Sequence, residues 1–235
     1  MMKRLDFHLL PTVLGALLAL GSASGQAANS LSMVGAQADA TITRHPGLGG
    51  GAAPLGAADT LYAIAPAGYE TASLLRFDLS AWAGHTLQGD AQIELGFLGL
   101  PFGTSVGILV RPVGAAWDEY SVTWNNFSPN LGAAVGGSPV TATDYLPGDP
   151  VAFGLPAALV QQWIAQPASN HGLLLQASNG SDLYLASREY RPQGGSAGDW
   201  APRLSFMSAA APVPETRTWA LMGLGLAALG ALRRR

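Results

Sequence analysis

Between Ser32 and Met207 the apolar positions come in short runs, many of them alternating with polar ones, and Gly, Pro, Asn and Asp interrupt them at close intervals. That pattern belongs to many strands joined by turns, and it predicts strands over residues 38–43, 73–78, 91–98, 105–113, 172–177, 183–188 and 203–207. The best hairpin signal is Asn179-Gly180, which separates 173–178 from 182–187, because Asn-Gly readily takes the positive φ values of a type I′ turn. One segment leaves the strand period: Leu155, Leu159, Val160, Trp163 and Ile164 fall on one helical face, Pro156 fits a first helical position, and Pro167 stops the run. Glycine-rich stretches at 47–51 and 132–137 read as loops, since neither has the spacing or the strand-to-helix setting that cradles phosphate. No repeat of solenoid or propeller period is visible. The expectation is one all-β domain over 29–208, an antiparallel β-sandwich of jelly-roll type, with one short helix capping an end of its core.

The two ends break this pattern. Lys3 and Arg4 precede an apolar stretch over 9–20 and a small-residue run over 21–28, the layout of a secretory signal peptide. The apolar stretch is shorter than the roughly 20 residues a spanning helix needs, so cleavage is expected between Ala23 and Asn29. At the other end, residues 209–235 run from an Ala/Pro spacer through Pro214-Glu215-Thr216 and an apolar segment over 219–232 to Arg233, Arg234 and Arg235. The apolar segment suits lipid, Trp219 suits an interface, and the terminal arginines hold that end in the cytoplasm.

Charge sharpens the picture. Between Asn29 and Ala211 thirteen acids face six arginines, a formal charge of −7. Such a surface repels phosphate backbones, so nucleic acid is not expected as a partner. The chain has no cysteine, which removes disulfides, thiol chemistry and Cys-ligated zinc. His45, His85 and His171 show no metal-ligand spacing, no Gly-x-Ser-x-Gly elbow is present, and the adjacent Asp118 and Glu119 would point to opposite faces of a strand. Catalysis is therefore not expected. Oxygen ligands for a structural calcium ion are available in Asp39, Asp78, Glu119 and Glu189, although no loop has the alternating acids of an EF-hand. No other cofactor is expected.

Sugar rings stack their C–H faces on exposed aromatics, and Trp82, Tyr190 and Trp200, with Tyr69 and Tyr145, lie in or near turns. Arg76, Arg188 and Arg203 recur at strand positions, where a guanidinium could take a sugar carboxylate through two bonds. Their structural alternative is pairing with Asp78, Glu189 or Asp39. Trp117, Trp124 and Trp163 read as core.

Two resemblances organise these readings. The tail resembles a PEP-CTERM sorting signal of Gram-negative exported proteins, which implies handling by the Sec machinery and by exosortase at the inner membrane. Pro214 and Glu215 match its motif, while Thr216 stands where the second proline belongs, and a plain C-terminal anchor is the alternative. The middle resembles the DNRLRE family of β-sandwich domains related to carbohydrate-binding modules. That likeness rests on Ala38-Asp39-Ala40-Thr41-Ile42, Leu74-Leu75-Arg76-Phe77-Asp78, Trp117-Asp118-Glu119 with Val122-Thr123-Trp124-Asn125, then Trp163, Asn170-His171-Gly172, Ser187-Arg188-Glu189 and Pro202-Arg203-Leu204. Phe153-Gly154 departs from the Val-Thr usual before the helix. Together they imply an exported, non-enzymatic protein of the cell surface or extracellular matrix, passing through an inner-membrane intermediate, whose sandwich associates with extracellular polysaccharide. A structural or adhesive spacer that binds no sugar, or a polysaccharide lyase or hydrolase, are the alternatives.

Overall fold

The computed structural model describes residues 29–127, 131–195 and 198–210. The expected signal peptide at 1–28 and the sorting residues Pro214, Glu215, Arg233, Arg234 and Arg235 lie outside the described residues.

The described chain is antiparallel β-sheet with one α-helix. In chain order the strands are β1 (Ser30–Thr43), β2 (Thr60–Ala63), β3 (Thr71–Phe77), β4 (Thr86–Leu87), β5 (Ala91–Gly99), β6 (Ser105–Pro112), β7 (Gly136–Thr141) and β8 (Pro150–Leu155), followed by α1 (Ala157–Ala165) and then β9 (Leu173–Gly180), β10 (Leu183–Ala186) and β11 (Arg203–Ala209). β1 connects two layers. Its first half pairs with β11, from Ser30 opposite Ser208 to Gly35 opposite Arg203. After a register shift between Ala36 and Ala38, its second half pairs with β3, from Ala38 opposite Arg76 to Thr43 opposite Thr71. The first layer continues through β5, which also pairs with β8 and β10, and the second runs β3, β9, β6, β7.

The main core lies between the layers. Ile93, Leu95 and Phe97 of β5, Val151, Phe153 and Leu155 of β8, and Leu204 and Phe206 of β11 share one cluster with Leu75 and Phe77 of β3, Val106, Ile108 and Val110 of β6, and Leu173 and Leu175 of β9. Each alternates with a neighbour facing away, and full burial of such a side chain contributes about 1.5–3 kcal/mol, enough to set strand register. Helix α1 adds Val160, Trp163 and Ile164 to the same cluster.

A second cluster sits on the outer face of the β1–β3–β9 layer. Ala38, Ala40, Ile42, Ala72, Leu74 and Leu174 are covered by the β6–β7 connection through Val113, Trp117 and Val122, with Trp124, Phe127 and Leu131 half-buried. The end of β1 and most of β3 are thus buried on both faces, although β1 still alternates: Ala38, Ala40 and Ile42 belong to the second cluster, and the intervening Asp39, Thr41 and Thr43 are buried as well.

Several expectations need correcting. Asn179-Gly180 does not turn a hairpin: β9 pairs with β3 and β6, whereas β10 pairs with β2 and β5 in the other part of the sheet system. Asn179 instead lies opposite Gly107, its Oδ1 accepting the Gly107 N–H at 3.0 Å, and the chain crosses between layers just after it. The 132–137 stretch is not all loop, since β7 starts at Gly136. Pro156 is the N-cap of α1, with φ −59° and ψ 135°, and Leu155 ends β8. β1 begins eight residues before the expected start, and β2, β4 and β8 were not expected, although Val151, Phe153 and Leu155 of β8 do alternate. Among the described residues no helix is long and apolar enough to cross a membrane.

Candidate functional site

At Gly35 β1 loses β11 as a neighbour, and only Ala36 adds a bond, to the Pro202 carbonyl at 2.9 Å. From Gln37 on, the edge that β11 occupied carries main-chain groups that need partners. Two charged side chains supply them. Arg188 donates from Nη1 to the Gln37 carbonyl, and the Asp39 N–H donates to Glu119 Oε1 at 3.0 Å. Beyond them the edge is taken up again by a bridge between Thr41 and Leu55.

The two side chains arrive by different routes. Glu119 comes from the connection that covers the outer face. There Asp118 Oδ1 accepts from the Tyr120 N–H and the Ser121 hydroxyl, Thr123 and Asn126 bond each other's main-chain N–H, and Trp117 Nε1 donates to the His171 carbonyl at 2.8 Å. These bonds form a rigid turn rather than a strand, so the Asp118 and Glu119 side chains separate into solvent and interior. Gly56 packs directly beneath it: a Cβ there would come within 1.9 Å of the Glu119 carbonyl oxygen. Arg188 and Glu189 follow β10, where the Ser187 hydroxyl accepts the Glu189 N–H at 3.1 Å.

The result is a convergence of three carboxylates and one guanidinium. The Arg188 N–H donates to Asp39 Oδ2 at 2.8 Å, and Arg188 Nη1 reaches both Glu119 oxygens at 3.2 and 3.3 Å. Its Nη2 lies 3.8 Å from Glu189 Oε1. Oxygens of Asp39, Glu119 and Glu189 lie within 4.8 Å of one another. Asp39 is 1% exposed, and its Oδ1 and the Oε2 of Glu189 are buried without a hydrogen-bond partner. Burial pushes the Asp39 carboxyl up to about 7, with the nearby Glu189 and Glu119 charges adding to the rise against the Arg188 N–H bond. Of the four sequence candidates for calcium, these three come together. Asp78 does not: it is exposed and caps a turn by accepting the Ser80 N–H at 2.9 Å, which holds its carboxyl below the usual value.

The sugar-binding candidates divide. Arg76 donates to Gln37 Oε1 and the Trp117 carbonyl and lies over the Trp117 ring at 5.2 Å, while Arg188 belongs to the carboxylate cluster. Trp82 donates from Nε1 to Ser32 and meets Phe206 edge-on, and Tyr145 leans on Phe97. Tyr69 is exposed and edge-on to His45. Tyr190 and Trp200, however, stack with centroids 5.2 Å apart and planes at 20°, both half-buried, on the loop between β10 and β11. Arg203, the first residue of β11, reaches back to this loop, its Nη2 donating to the carbonyls of Gly198 and Asp199. Trp200 also packs against Gly96 and Gly148, where a Cβ would meet it at 2.5 Å in each case.

Sequence reasoning missed Tyr120, which stands 61% exposed beside Glu119, and the Gln37 carbonyl, a main-chain group that no residue type could reveal. The groove beside α1, lined in part by Pro112, Leu159, Trp163 and His171, contains among the described residues one titratable side chain, His171. Compared with protein-family models and with curated proteins, the chain matches none.

Proposed function

We propose that this chain is an exported, non-enzymatic surface or matrix protein whose jelly-roll-type sandwich associates with extracellular polysaccharide through Tyr190, Trp200 and Arg203. The observation that carries this reading is the stacked, half-buried Tyr190–Trp200 pair, with Arg203 at the start of β11 donating to carbonyls of the same loop. A flat aromatic surface with an adjacent planar donor suits a pyranose face and its hydroxyls or carboxylate. Strand pairing supports the orientation. Ser30 lies opposite Ser208, so a leader before β1 and a tail after β11 leave from one end of the sandwich. Trp200 sits at the other end of β11, whose seven residues span roughly 23 Å. A protein sorted by its tail to the membrane would therefore hold the aromatic pair away from it.

Affinity electrophoresis of the purified protein in gels containing neutral, mildly acidic or heavily charged polysaccharides tests this. Retardation by neutral or mildly acidic chains is expected, since the −7 balance of residues 29–211 repels polyanions. Trp200→Ala and Tyr190→Ala should each weaken it at least tenfold. Equal mobility in every gel would favour a spacer that binds no sugar, and retardation unchanged in both variants would move the site elsewhere.

A further inference from the structure

We propose that Asp39, Glu119 and Glu189 bind a calcium ion that ties the β6–β7 connection and the segment after β10 to the open edge of β1. Three observations carry this. The first is convergence: oxygens from residues 39, 119 and 189, contributed by three separate parts of the fold, lie within 4.8 Å of one another. The second is lack of satisfaction. Asp39 is 1% exposed, yet its Oδ1 has no partner, and neither has the buried Oε2 of Glu189. A buried carboxylate oxygen with no donor is costly, and it is the group a cation would satisfy. The third is charge. Three carboxylates against the Arg188 guanidinium leave −2, which one divalent cation neutralises.

The donor set selects the ion. No histidine or cysteine belongs to the cluster, so the ligands are hard oxygens only. Oxygens on opposite sides of calcium lie about 4.6–5.2 Å apart, while magnesium holds them to about 4.2 Å in a strict octahedron. Oxygens lying within 4.8 Å of one another fit within calcium's first shell. The side chain of Glu189 is 28% exposed, which leaves a path for the ion and room for water to complete the 6–8 ligands calcium takes. Arg188 remains where it is, donating to Glu119 and to the Gln37 carbonyl, and its charge keeps affinity in the range of extracellular modules. The inference is independent of polysaccharide binding, because it is read without any glycan.

The experiment strips the purified full chain with EDTA and titrates it with calcium chloride by calorimetry, with thermal melts in parallel. A Kd of about 0.1–1 mM and a rise of several degrees in Tm are expected, with little response to magnesium at the same concentration. Terbium should replace calcium and luminesce through Trp117 and Tyr120, with calcium quenching the signal. Glu189→Gln, whose side chain is 28% exposed, and Asp39→Asn should each abolish the shift and the luminescence. A flat titration with equal Tm in EDTA and in calcium overturns the proposal, as does a calcium response that survives both substitutions.

Discussion

The main-chain N–H of Arg188 donates to Oδ2 of Asp39 at 2.8 Å, joining residues 149 positions apart in the chain. The Arg188 side chain then turns back to bond the Gln37 carbonyl on the same strand, two residues earlier. With Glu119 accepting the Asp39 N–H, the Arg188 side chain closes the edge that β1 exposes as it passes between layers, while its backbone holds the Asp39 carboxylate. An unprotected edge of this kind is a site for pairing with other chains, and a charged plug blocks it.

Removing one partner of that plug should be costly. Arg188→Ala leaves the buried Glu119 carboxylate without its cation and the Gln37 carbonyl without a donor, and it should lower stability on the order of 3 kcal/mol. Glu119→Gln keeps an acceptor for the Asp39 N–H and should cost about 1 kcal/mol. Urea unfolding measures both. A loss below about 1 kcal/mol for Arg188→Ala would mean that the edge is held by other contacts.

Asp39 makes stability depend on pH, with a sign opposite to that of an ordinary paired carboxylate. Its value in the folded protein is about 7, against about 3.9 for an unfolded aspartate, so the folded state holds an extra proton between the two. The resulting stability is fully present below about pH 4 and is lost as pH rises through 7, up to about 4 kcal/mol in all. In chelator, melts at pH 5 and pH 8 should show a clear loss at the higher pH, and Asp39→Asn should remove most of the difference. Equal Tm at both pH values in the wild-type protein would contradict this account.

Gly172 has φ +86°, and a Cβ there would lie 2.0 Å from the Leu75 carbonyl oxygen, part of the β3 backbone. Gly172→Ala should therefore destabilise by more than about 2 kcal/mol, combining left-handed strain with displacement of a core strand. Gly84 is the control: its φ is +81° but nothing lies within 4 Å of the Cβ position, so Gly84→Ala should cost only about 1 kcal/mol. Similar melting of the two variants would show that the close approach relaxes freely.

Residues 29–210 should fold alone. Both buried clusters draw their members from between Val34 and Phe206, and β11 ends at Ala209, so no described core contact needs the tail. Expression of this segment should give a β-rich circular dichroism spectrum and one cooperative thermal transition. Aggregation, or a non-cooperative melt, would show that the tail contributes to the fold.

Local pattern was enough for much of the architecture. Strands such as Ala91–Gly99 and Ser105–Pro112 carry alternation that only a half-buried strand satisfies, and the spacing of Val160, Trp163 and Ile164 between two prolines leaves little but a short helix. The acids that converge were also visible as residue types in the right blocks. What the chain could not show locally was pairing. Asn179-Gly180 has the chemistry of a hairpin turn, yet β9 pairs with β3 and β6 and β10 with β2 and β5, and these long-range pairings, with Leu173, Leu175, Leu183 and Leu185 buried in the core, override turn preference. In the same way nothing in the sequence separates Asp39, Glu119 and Glu189 from the exposed Asp78. The burial of Glu119 follows from the point where β1 leaves β11, because there the open strand edge draws its carboxylate and the Arg188 guanidinium inward to satisfy main-chain groups, and Asp39 and Glu189 lie beside them.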